Sequence, residues 1–307
     1  MKTEQILRTV KKQYRKKWKY VLVLIPILFW FVYLRIYPNL QVFPLSLYDW
    51  SPLRTAKEYV GFENFYILFT VKKAEFMPRV MNTILYVVFL LVIQTALGLI
   101  LTLSLRKNTR RNSFFRAYFF LPMVFSSTMV SLTWSFMYDP NLGVLNTILG
   151  KLGVEGYPGH NFLLNSTTAI LCVVLVHIWA NIGYPMMMLL SGLTSISDDV
   201  LEAAKIDGAN KWQTFWSIEF PMLLPTLLRM MLLTITTGTM SVDYIYMIGG
   251  SFGTSFDTWS SWMYRQTLGG TSYGLVSSAG VVLFFILAAV SVIQYVAMDR
   301  VEKKLFG

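Results

Sequence analysis

The sequence predicts an all-α integral membrane protein with six transmembrane helices, on three observations. Of its 307 residues 55% are hydrophobic and 14% charged, with a mean hydropathy of +0.51, whereas a soluble domain carries about a quarter charged residues. Apolar stretches of about 20 residues, the length that spans hydrocarbon as a helix, recur along the chain. Lys and Arg gather in alternate connections between them.

Five stretches qualify directly: Thr83 to Leu105, Ala117 to Met137, Ala169 to Leu190, Met222 to Met240 and Leu275 to Met298. The first span is less regular. Its apolar run from Val21 to Leu34 is interrupted by Arg35 and resumes to about Leu47; Arg35 is expected to snorkel among Tyr33 and Tyr37, which costs less than burial at the midplane. A basic start before a short apolar run also suits a cleaved signal peptide. No small-residue cleavage site follows, which favours an uncleaved span.

With the N-terminus inside, one set of connections holds 18 Lys and Arg and the opposite set 7. The rule that cations stay on the cytoplasmic side therefore puts both termini and the loop at 191–221 in the cytoplasm, and the expected location is a prokaryotic plasma membrane. The chain divides into a basic segment 1–20, a six-span region 21–298 and a short tail 299–307. The net charge of +11 suits attraction to anionic lipid heads. Nucleic acid is the poorer partner, because the N-terminal cations directly precede a span.

Within the cytoplasmic loop a short helix is expected from an N-cap at Ser197 to about Ile206. Asp198 and Asp199 suit its positive end, and Asp207-Gly208 stops it. Nine residues make a rod of about 13 Å, with Val200, Leu201 and Ala204 on one face and Asp198, Glu202 and Lys205 on the other. Trp212, Phe215 and Trp216 then lead back to the membrane at Pro221. An interfacial helix lying on lipid is the plainer reading of such a loop.

The motif here is Glu202-Ala203-Ala204-Lys205-Ile206-Asp207-Gly208, nine residues, then Ile218-Glu219-Phe220-Pro221. It resembles the EAA loop of the membrane subunits of ABC importers, departing only at Phe220, where the pattern has Leu. Val60-Gly61-Phe62-Glu63-Asn64, Trp179, Gly249-Gly250 and Tyr264-Arg265 extend the likeness to sugar permeases of the maltose type. Ser251 stands where those permeases have Pro. The resemblance implies a type I ABC importer permease fold. It also implies that Glu202, Ala203, Ala204, Asp207 and Gly208 form a coupling element seated in a separate ATPase subunit, Glu202 facing a basic residue there. The implied partners are a second, similar permease, two copies of a P-loop ATPase and an extracytoplasmic sugar-binding protein.

The chain shows no ATPase motif of its own. A P-loop needs Gly, four residues, then Gly-Lys-Ser/Thr to surround phosphates, and the sole Gly-Lys pair, Gly150-Lys151, lacks both flanking features. ATP and Mg are therefore expected on the partner, and no cofactor, metal or catalytic centre on this chain. Cys172 stands alone, and His160 and His177 form no ligand spacing with it.

Substrate-lining candidates come from polar residues inside spans. His177, Asn181 and Tyr184 recur at i, i+4 and i+7, one polar stripe on an otherwise apolar helix between Leu171 and Leu190. By resemblance they lie at the sugar-lining distances before the EAA glutamate, with His177 where the family has asparagine. Thr236, Thr239 and Asp243 share a second face, in a register made less certain by a Pro221–Gly249 distance two residues shorter than the family's; Ser126 and Ser127 are weaker candidates. Hydroxyls, amides and rings suit a neutral sugar. The same residues also serve as hydrogen-bonding glue between helices.

These readings lead to a permease subunit that moves a carbohydrate, an oligosaccharide first of all, into the cytoplasm. An ABC permease for an amino acid, peptide or polyol phosphate shares the loop and stays open. A secondary transporter is less favoured, since His177, Arg229 and Asp243 do not form a proton relay. A membrane-embedded transferase or a receptor would need a catalytic cluster or a soluble domain, and the sequence shows neither.

Overall fold

A computed structural model describes residues 22, 24–53, 56–156, 159–250, 255–270 and 272–306. The basic segment expected at 1–20 lies outside the described residues. The chain divides into two compact units. One holds Gly270–Val282 with the residues up to Leu68, and the other holds Phe69–Gly269 with the residues from Leu283 on.

In the first unit, helix α1 covers residues 24–45 and widens to a π-turn at Val32–Ile36. Its residues to Leu40 are exposed and largely apolar, a surface suited to lipid. Phe29, Tyr33 and Tyr37 stack along one face at 6.0 and 6.1 Å. A two-residue antiparallel pair, β1 (Tyr48–Asp49) and β2 (Glu58–Tyr59), follows. The Val60–Asn64 motif acts here. Gly61 turns the chain at φ +57°, and buried Asn64 donates its amide to the carbonyls of Ser46 (2.9 Å) and Tyr48 (3.0 Å). At Gly274 a Cβ would fall 1.8 Å from the Tyr48 carbonyl oxygen, so only glycine admits that approach.

The second unit is a helical bundle. Helix α2 is Glu63–Phe69, straddling the division between units, and α3 runs from Lys73 to Leu105, starting well before the expected Thr83. Next come α4 (Arg110–Phe120), α5 (Ser127–Met137), α6 (Val144–Lys151), α7 (Ser166–Asn181), α8 (Gly183–Thr194) and α9 (Asp198–Ile206). Helix α10 occupies 211–239 with a π-turn at Phe215–Glu219, then come α11 (Asp243–Gly249), α12 (Trp259–Leu268) and α13 (Tyr273–Phe306), which also extends back into the first unit. The core lies around α7, whose Val173, Val174 and Val176 are fully buried among Tyr86, Leu90 and Ile245. Exposed apolar side chains such as Val92, Phe285 and Ile293 face outward, as a lipid solvent permits.

Two expected spans are not straight. The segment expected from Ala117 to Met137 bends by 93° between α4 and α5. Pro122 has no N–H to continue the ladder, a 3₁₀ turn forms at Leu121–Val124, and Ser126 caps α5 by accepting the Met129 N–H at 3.2 Å. The segment from Ala169 to Leu190 bends by 54° between α7 and α8. Pro185 cannot donate to the Asn181 carbonyl and its ring crowds that oxygen. Gly183 sits so close to α4 that a Cβ would lie 2.7 Å from the Phe120 Cα. Among the described residues three helices are long and apolar enough to cross a membrane, or five if each bent pair is one span; the start of the first expected span lies outside them.

Candidate coupling loop and translocation site

The loop helix α9 spans Asp198–Ile206, and its end has a complete stop. Gly208 (φ +80°) donates to the Lys205 carbonyl at 3.1 Å and Ala209 to that of Ala204 at 2.9 Å. Together they form a Schellman cap that satisfies the last carbonyls. Ser197 holds the N-cap position but makes no capping bond; Asp198 and Asp199 supply the favourable charge there. Ala204 is buried, while Glu202, Ala203, Lys205, Ile206, Asp207 and Gly208 are exposed. Ile206, 85% exposed, leaves a large apolar side chain in the open.

A second helix start follows at once. The Asn210 side chain accepts from the N–H groups of Trp212 (3.0 Å) and Gln213 (2.9 Å), and Gln213 accepts the Asn210 N–H at 2.9 Å. The Asn210-x-x-Gln213 pattern of this capping box was visible in the sequence. Trp212, Phe215 and Trp216 cluster, and Phe220, noted in the sequence only as a departure from the motif, joins them, with ring centroids 5.0 to 5.9 Å apart.

The polar stripe expected on the fourth span is divided by the break at Ile182. His177, almost fully buried, shares a 2.8 Å hydrogen bond between its Nδ1 and the Tyr86 hydroxyl, and its ring lies 4.8 Å from that of Tyr244. Asn181 donates 2.9 Å bonds to the His177 carbonyl and to the Tyr244 hydroxyl. Thus α3, α7 and α11 meet in one network of two tyrosines, a histidine and an asparagine. Tyr184 stands beyond the break and is exposed. Tyr86 and Tyr244 were not singled out from the sequence, because tyrosines in apolar helices carry no periodic signal until their neighbours are known.

The second candidate face is interrupted as well, since α10 ends at Thr239 and α11 begins at Asp243. Thr236 and Thr239 return their hydroxyls to their own helix, at the carbonyls of Leu232 (3.0 Å) and Ile235 (2.7 Å). Exposed Asp243 accepts a 2.5 Å bond from the Ser127 hydroxyl, joining α5 to α11. Ser126 is the cap described above.

Three ion pairs lay beyond sequence reasoning. Arg229 pairs with Glu302 of α13. Arg265 of the Tyr264-Arg265 motif pairs at 3.1 Å with Asp257, both nearly buried, and covers the Tyr246 ring at 4.6 Å. Arg106 reaches buried Glu219. Nothing in local sequence marks partners separated by 113 positions. Among the described residues no three His, Cys, Asp or Glu side chains gather as a metal site.

A bent-helix bundle of this kind, with a capped helix standing out on one loop, is the membrane component of a transport system. The chain belongs to the family of binding-protein-dependent transport system inner membrane components, whose profile matches residues 94–307. It is 30% identical over 295 residues to the multiple sugar-binding transport system permease of Streptococcus mutans, covering 96% of this chain and 99% of the relative. It is 28% identical to the trehalose/maltose transport system permease of Thermococcus litoralis, over 96% of this chain and 98% of the relative. Its fold matches a chain of the crystal structure of a bacterial ABC transporter involved in the import of the acidic polysaccharide alginate. The TM-score is 0.78 at 20% identity, over 95% of this chain and 98% of that one. The protein is thus a membrane permease subunit of an ABC importer, a transport component and not an enzyme.

Proposed function

We propose that this permease carries a carbohydrate, an oligosaccharide first of all, and that α9 couples its movement to ATP hydrolysis on separate subunits. The observation that carries the coupling reading is the exposed side of α9, of whose residues only Ala204 is buried. Its Glu202 and Ala203 are exposed, and Gly208 ends it in the one backbone conformation that the glycine of the motif serves. A rod of about 13 Å with one small-residue face fits a groove on a partner. Support for a carbohydrate comes from the names of the relatives and from half-buried Asn181, whose amide, with the Tyr244 hydroxyl it binds and with His177 and Tyr86 buried behind it, suits the hydroxyls of a neutral polyol. Sugar hydroxyls would exchange with the Asn181–Tyr244 bond, and the Thr236, Thr239, Asp243 and Tyr184 side chains would extend that lining.

In the proposed cycle two P-loop ATPase subunits close on ATP and carry α9 with them. The helices of this chain and of a second permease rearrange from inward-open to outward-open. An extracytoplasmic binding protein then releases its sugar into the exposed cavity, and hydrolysis resets the pair. Both termini and α9 face the cytoplasm in this arrangement, which the cation asymmetry supports. The test is Glu202→Lys in the complete complex. Membrane insertion should persist while ATP turnover stimulated by the loaded binding protein is lost; normal stimulated turnover would remove the coupling role.

A further inference from the structure

The turn after α3 is held unusually tightly. Arg116 of α4 donates Nε and Nη2 to the Leu105 carbonyl at 3.0 and 2.5 Å, and Nη2 also to that of Lys107 at 3.2 Å. Asn112 adds a 3.0 Å bond to the Lys107 carbonyl. Arg106 projects from this fixed turn and sets one nitrogen, Nη1, against both oxygens of Glu219, at 2.8 and 3.1 Å. The Glu219 carboxylate is buried, whereas the Arg106 side chain stays 42% exposed. Glu219 lies in the π-turn of α10, a wide turn of a kind frequent at functional sites.

Helix α8 already joins α3 to α10. The Thr102 hydroxyl donates to the Met186 carbonyl at 3.0 Å, and Gly98 faces Pro185. Gly192 approaches α10 so closely that a Cβ would lie 2.8 Å from Leu223 Cδ1 and 2.9 Å from Thr226 Oγ1. The Arg106–Glu219 pair therefore closes a triangle of α3, α8 and α10, just where α10 receives the chain from α9. A buried carboxylate resists losing the one charge partner it has among the described residues, so the triangle does not open readily at this corner.

We infer that Arg106 and Glu219 are positioning residues that lock the α3–α4 turn to the start of α10, so that displacement of α9 moves α3, α8 and α10 as one body. Without the pair, part of the movement of α9 is taken up by the π-turn, and the rest reaches the end of α3 only indirectly, through α8. The inference rests on the coupling reading of α9.

The experiment uses the complete transport complex in lipid nanodiscs, with Cys172→Ser and spin labels at Lys107→Cys and Lys211→Cys, both exposed positions. In the unmodified pair the 107–211 distance stays narrow and unchanged between nucleotide-free and ATP-bound states. Glu219→Gln broadens it, and stimulation of ATP turnover by the loaded binding protein falls on the order of fivefold or more. The exchange Arg106→Glu with Glu219→Arg recovers both readouts, which a residue needed only for folding would not do. A narrow distance and full stimulation in Glu219→Gln would overturn the inference, as would an exchange that assembles without recovering either. Glu202→Lys in parallel separates the two claims: retained stimulation there defeats the coupling reading itself, while lost stimulation there with an indifferent Glu219→Gln defeats only the lock.

Discussion

At Gly208 a single backbone angle, φ +80°, lets two N–H groups turn back onto the end of α9. A β-branched side chain there meets the left-handed penalty of about 1–2 kcal/mol. Gly208→Val should therefore leave the complex assembled but redirect α9, lowering binding-protein-stimulated ATP turnover; full stimulation would show that the cap direction is immaterial. Tyr86 gives a different expectation. Tyr86→Phe removes the partner of the His177 Nδ1 inside the core, and an orphaned buried polar atom costs about 1–3 kcal/mol. A lower melting temperature in detergent should follow, and an unchanged one would mean that His177 finds another partner. Asn181→Leu breaks the bond to the Tyr244 hydroxyl. Uptake should fall while assembly persists if Asn181 lines the sugar path, and unaltered uptake kinetics would leave it as interhelical glue.

The elements are defined as much by their breaks as by their lengths. A bend of 54° follows from Pro185 and Gly183 together, the first removing a donor and the second letting α8 meet the α4 backbone. Gly183→Ala places a methyl group where the Phe120 Cα and the Phe119 oxygen stand, 2.7 and 2.9 Å away. Backbone cannot yield as a side-chain tip can, so a loss of about 1–3 kcal/mol is expected. Size-exclusion profiles and melting curves of the variant should show it, and a wild-type melting temperature would mean that the α4–α8 approach is adjustable. Element identity was largely legible beforehand. Apolar runs predicted the existence of α3, α10 and α13 though not their full lengths, and Asp198, Asp199 and Gly208 predicted α9 to about Ile206, where it ends. The two bends were not read, although Pro122 and Pro185 were in view, because a proline in a span kinks, breaks or is absorbed according to what packs beside it.

For the whole molecule the claim open to direct test is orientation. With Cys172→Ser as background, Glu202→Cys should react with an impermeant thiol reagent only from the cytoplasmic side. Leu142→Cys, at an 87% exposed position, should react only from outside. The reverse pattern would overturn the cation-based topology.

Much of this protein was decided by its sequence alone. An apolar composition excludes a soluble fold, the cation asymmetry sets an expected orientation, and a motif from Glu202 to Pro221 marks the family through local backbone requirements that neighbours cannot alter. The tertiary structure decided which polar side chains meet. His177 found Tyr86, Asn181 found Tyr244, Asp243 found Ser127, and Glu219 found Arg106. Helical periodicity says which residues share a face, but each of these partners sits on another helix or the turn after one, at a sequence separation of 63 or more. Only the packing of bent helices brings them within hydrogen-bonding distance.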